Sequence, residues 1–314
     1  MNVEPNLNFD SFTMDARFIC GQCNTVIEIP PDVVARFLRG ETSRCRQCGT
    51  KDSWWSLARR CAESVMFLPL SLVGARTTIL THEYRRNITS SIDLAEHGIP
   101  DEAQILRVTM TPVCLDGPPA LMPAGPLTNY PSPPWFNRTI TVVPYGESGG
   151  AEKANLTVAV SWLPVGQSAV SERLLVDALD TYTAARAYRA YEPHDYARSL
   201  LLANTAVEVA VGDLLDRRLS QDVSNDHADR FLTDAATYSH QLNVVLPVLV
   251  KAASGPLLPD EIRGSLNRLR DLRNDVAHTG ATKKPLADHE AARCVSAAVF
   301  GLGYVRYLEQ ELGW

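Results

Sequence analysis

Four cysteines in two pairs, Cys20-x2-Cys23 and Cys45-x2-Cys48, constrain this chain more than any other feature. Each C-x2-C bends into a knuckle that turns two thiolates to one side, and two knuckles close a tetrahedron around Zn²⁺. Four thiolates leave no open coordination position. The expectation is therefore a structural Zn²⁺ that staples a segment too short to build its own core. The other three cysteines, Cys61, Cys114 and Cys294, are scattered. The N-terminal sequence MNVEPNLNFDSF does not read as an export signal, and in a reducing compartment paired C-x2-C elements mean metal rather than disulfides. The reading is cytoplasmic, so the N-x-T sequons at Asn87, Asn137 and Asn155 carry no glycan meaning.

At 314 residues the chain exceeds what one core supports, and its texture changes twice. Residues 1–60 hold the cysteines and resemble a zinc ribbon. Residues 61–165 read as strands: 105–113 and 156–163 alternate large apolar with small or polar side chains, and 138–145 is rich in β-branched residues. Residues 112–134 hold eight prolines, a density that demands a loop or an edge-hugging extended segment. This middle module is expected to be an antiparallel sandwich or small barrel. Residues 166–314 switch to helical period and should form a bundle, with 197–219 as its most buried helix and Pro247 kinking or dividing 226–253. The expected fold class is multidomain α+β, with no internal repeat. No apolar run reaches the ~20 residues of a membrane helix, since 65–73 and 242–250 both contain proline.

The second motif is Leu269-Arg-Asp-Leu-Arg-Asn-Asp-Val-Ala-His-Thr-Gly280. Ile262, Leu266, Leu269, Leu272 and Val276 fall on one helical face. Asn274 and His278 lie one turn apart, and Gly280 stops the helix. Upstream, the apolar segment LLLANTAVEVAVGDLL carries one mid-helix acid, Glu208, whose burial would require a partner such as Arg273 or Asn274.

Arg273, Asn274 and His278 match the R-x4–6-H signature of the HEPN superfamily (higher eukaryotes and prokaryotes nucleotide-binding), with Asn directly after Arg. The resemblance covers residues 168–314. It implies metal-independent RNA cleavage at a site that two copies of the motif form in a homodimer, in an effector of a toxin or phage-defence system. His278 would serve as general acid or base, Arg273 would hold the phosphate, Asn274 would orient them, and Glu208 would support the site.

Charge limits the other readings. Thirty Lys and Arg against 36 Asp and Glu give a net charge of -6, so any RNA contact must be local. Arg17, Arg36, Arg39, Arg44 and Arg46 with Trp54 and Trp55 could make the cysteine module a nucleic-acid reader. Nearby acids favour a staple or a protein contact, with a protein or ligand trigger as the partner of the N-terminal modules. A non-catalytic HEPN adaptor binding a nucleotide or protein is the alternative function, with Arg273 and His278 acting as a helix cap. A nucleic-acid-binding ribbon on a merely dimerising helical domain is a third.

Overall fold

Two short hairpins open the structure, each turning through a cysteine pair and running into a helix. The first is β1 (Arg17–Ile19) with β2 (Val26–Glu28), then α1 (Val33–Leu38); the second is β3 (Thr42–Arg44) with β4 (Lys51–Ser53), then α2 (Trp54–Glu63). This computed structural model describes residues 17–30, 32–63, 70–85, 88–113, 121–123, 139–142, 144–146, 153–164, 170–187 and 196–314. The fold is mixed helix and sheet with a C-terminal helical region. Most of the proline-rich stretch, the turn after Gly146 and Cys114 lie outside the described residues.

The chain divides into two units, and the division is not the one the sequence suggests. One lies within Ala75–Gln167; the other joins Met14–Gly74 to Ser168–Trp314. In the first, β5 (Arg76–Arg85), β11 (Lys153–Leu163) and β7 (Gln104–Val113) form an antiparallel sheet with β11 central. A second ribbon pairs β6 (Ser90–Asp93) with β9 (Thr139–Val142), and a third pairs β8 (Leu121–Pro123) with β10 (Pro144–Gly146). Leu80, Ile92, Ile140, Val142, Val158, Val160 and Trp162 share one core, so the first two layers pack as a small sandwich. The described strands close no barrel: their pairing stops at three strands and at two. The β5 strand was not legible as alternation, because Ile79 on its outer face is 49% exposed.

In the second unit, α3 (Val170–Ala187), α4 (Ala197–Leu219), α8 (Asp260–Thr279) and α9 (Asp288–Leu312) are the long helices. Between α4 and α8 lie α5 (Asn225–Arg230), α6 (Tyr238–His240) and α7 (Leu246–Ala252). The division of 226–253 falls at Ala236–Thr237, well before Pro247; at Pro247 the helix continues, preceded by a wide π-turn over Gln241–Val245 that suits a residue lacking a ladder N–H.

The central helix is α9 rather than α4: sixteen of its 25 residues are buried, against eleven of 23 in α4. The reason is that α9 serves two neighbours. One side meets α4 and α8; the other receives the cysteine module. Phe37 and Trp55 set their rings edge-on to Phe300, with centroids 5.1 and 5.6 Å away. Gly303 lets the 3₁₀ turn Leu70–Val73 come close: a Cβ there would sit 2.3 Å from the Leu72 carbonyl oxygen. From α3, Tyr182 Oη donates to the Ala62 carbonyl at 2.9 Å and Arg186 to the Glu63 carbonyl at 2.6 Å, capping the last turn of α2. Through these contacts the cysteine module, expected as a separate 1–60 unit, shares its packing with the helices. Among the described residues no helix is long and apolar enough to cross a membrane.

Candidate functional site

The four cysteine sulfurs converge. All Sγ atoms lie within 4.8 Å of one another, with Cys20 to Cys48 at 3.6 Å and Cys23 to Cys45 at 3.5 Å. A tetrahedral ion with metal–sulfur bonds near 2.3 Å separates its ligands by roughly 3.8 Å, so the cluster could hold a metal ion such as zinc. Among the described residues no other group of histidines, cysteines and acids converges this way. Cys61 and Cys294 are buried elsewhere, and burial pushes both thiols up to about 12.

The two knuckles are copies. Cys20-Gly-Gln-Cys-Asn-Thr25 and Cys45-Arg-Gln-Cys-Gly-Thr50 share C-x-Q-C-x-T, a repeat that the sequence reading missed because it weighed spacing and not identity. In each, the first cysteine N–H donates to the threonine carbonyl at 2.9 Å. The residue after the second cysteine turns left-handed, Asn24 at φ 57° and Gly49 at φ 75°. Thr25 and Thr50 hydroxyls lie 3.2 Å from Cys23 and Cys48 Sγ. These hydroxyls, with the same residues' amides, bring the Cys23 thiol down and the Cys48 thiol down to about 6, toward the thiolate a metal requires. Gly21 has a different task. A Cβ there would meet the Arg60 guanidinium at 2.8 Å, and Arg60 forks onto Asp52 at 2.7 and 3.1 Å.

The second candidate is the outer face of α8. Asp260 and Glu261 occupy its first turn, where negative charge suits the helix dipole, and Gly280 at φ 78° ends it. The apolar face is as expected, with Ile262, Leu266, Leu269, Leu272 and Val276 all buried. Arg270, Asn274 and His278 follow an outer edge of the helix, while Arg273, four residues after Leu269 and three before Val276, borders the apolar face and reaches toward α4. Arg273 Nη2 lies 3.6 Å from Glu208 Oε2 on α4, and Nη1 donates to Asn274 Oδ1 at 3.1 Å. Asn204, one turn before Glu208, donates to the same carboxylate oxygen at 3.1 Å. The structure thus brings Glu208, Arg273 and Asn274 together. Glu208 is not buried, however: its side chain keeps 36% exposure, because it stands at the edge of α4 while Ala206, Val207 and Ala210 take the core face.

His278 stands apart. It is exposed in the last turn, and no hydrogen bond to it occurs among the described residues. Two neighbours escaped the sequence reading. Asn204 is 1% exposed, and its Oδ1 finds no partner among the described residues. The Tyr238 hydroxyl is likewise buried without one; burial pushes its pKa up, and Glu208 adds to the effect. Four bases flanking the motif are neutralised: Arg263 by Asp260, Arg268 by Glu290, Arg270 by Asp271 and Lys283 by Asp275.

Trp54 and Trp55 do not face solvent as the reader hypothesis required; they are 5% and 2% exposed. Compared with protein-family models, with curated proteins and with solved structures, the chain matches none.

Proposed function

We propose that the protein is a metal-independent endoribonuclease of HEPN type. A homodimer would face two α8 stripes across one cleft, and the four cysteines would hold a structural Zn²⁺. The observation that carries this reading is the restraint on Arg273, whose guanidinium is held by Glu208 on one side and Asn274 on the other. A guanidinium held this way keeps one orientation, and with its side chain 34% exposed it stays within reach of a phosphodiester. His278, exposed in the last turn of α8, keeps the solvent access a general base needs.

In the reaction, the RNA 2′-oxygen attacks phosphorus as a His278 imidazole takes its proton. The 5′-oxygen leaves with a proton from the imidazolium of the facing copy, giving a 2′,3′-cyclic phosphate and a 5′-hydroxyl. Arg273 balances the charge that grows on the phosphate. The test is cleavage in buffer without divalent cations, comparing an RNA with the same RNA carrying one deoxyribose at the scissile position. The first should be cut and the second resist. A chelator strong enough to take a metal from four thiolates is avoided, because α9 leans on the cysteine module.

One observation favours the adaptor reading instead. Four of the flanking bases are paired with acids, and among the described residues no hydrogen-bond partner sets the His278 ring. A HEPN module that binds a nucleotide or a protein needs neither.

A further inference from the structure

The two hairpins leave a groove of about 640 Å³ between them, walled by β2 and β3. Among the described residues each of these strands pairs on one side only, β2 with β1 and β3 with β4, so each presents an open edge of N–H and C=O groups. The floor is apolar. Ile27 and Trp54 are nearly buried, Val26 is 47% exposed, and the Trp54 indole N–H has no acceptor among the described residues.

The rim is basic. Arg36 is held by Asp32 and Glu41, but neither Arg44 nor Arg46 has a carboxylate within ion-pair distance among the described residues. Glu28 is the one acid lining the groove. Single-stranded nucleic acid would want exposed aromatic faces for its bases, and both tryptophans here are packed away. Free strand edges, an apolar floor and unpaired arginines fit an extended polypeptide.

We propose that this groove docks an extended acidic peptide segment of a partner protein. The segment adds a strand to a free edge of β2 or β3 and sets carboxylates from alternate residues against Arg44 and Arg46. This docking function is independent of the nuclease reading.

The test pans a random dodecapeptide display library against the full-length protein and, in parallel, against the double variant Arg44→Glu, Arg46→Glu. Both side chains are exposed, and metal content with circular dichroism checks that the variant keeps its fold. Peptides selected on the wild type should carry Asp or Glu at alternate positions, and a synthetic copy should bind the variant about tenfold more weakly or worse. The variant should select basic peptides in their place. Amide exchange on the wild type should slow along Val26–Glu28 or Thr42–Arg44 when the peptide binds, a readout that holds even if the variant misfolds. No enrichment, enrichment without acidic alternation, equal binding to both proteins, or protection elsewhere would overturn the proposal. A uridine decamer that binds the groove more tightly than the selected peptide would move the site to nucleic acid and overturn it as well.

Discussion

The cysteine centre and the α8 stripe solve opposite problems. At the centre, four like side chains are complete within one chain, closed on each other at 3.5 and 3.6 Å and held by two copies of the same turn. On α8, Arg273 and Asn274 are half-exposed and restrained, while among the described residues no hydrogen bond holds the exposed His278. A closed centre invests its residues in folding. An open stripe leaves them available to something outside the chain. Stability and chemistry are therefore expected to separate cleanly between the two regions.

Breaking the cysteine cluster, and with it any metal it holds, should have the largest effect. Structural zinc sites hold about 10–16 kcal/mol of apparent binding energy. Because Trp55 and Phe37 pack on Phe300, Cys45→Ser should loosen α9 along with the hairpins; near-ultraviolet circular dichroism of the tryptophans checks this. A variant that loses its metal yet keeps the full unfolding transition of the helices would break the comparison. Next, Trp55→Ala should cost about 3–5 kcal/mol in denaturant unfolding, as other buried tryptophans do. Glu208→Gln weakens a partly exposed pair and should cost about 1 kcal/mol or less, while lowering any cleavage rate more than stability. His278→Ala should shift stability by no more than ~0.5 kcal/mol, since the side chain is exposed and no hydrogen bond to it occurs among the described residues.

How much of this was legible follows the same divide. The cysteine ligands, the apolar face of α8 and the approach of Glu208 to Arg273 were readable, because spacing, helical period and the cost of a mid-helix carboxylate are local quantities. The dependence of the hairpins on α9 was not. It rests on Trp55 meeting Phe300 and on Gly303 admitting the Leu72 carbonyl, contacts between residues far apart in the chain that no periodicity encodes. The half-exposure of Glu208 was hidden for a related reason: a helix of small apolar residues does not announce which edge its neighbours leave open. Likewise Trp54 and Trp55 read as a base-stacking surface beside arginines, and tertiary packing claimed them for the core.

The central claim is that the α8 stripe is a reactive site rather than a cap. The most direct measurement compares wild type with His278→Ala on RNA under identical conditions, following both rate and product ends. The account predicts 2′,3′-cyclic phosphate termini from the wild type and a rate lower by about 10²–10⁴ in the variant, the contribution of general acid–base catalysis. Equal rates for the two proteins, or no cleavage by a folded, metal-loaded wild-type dimer, would contradict it.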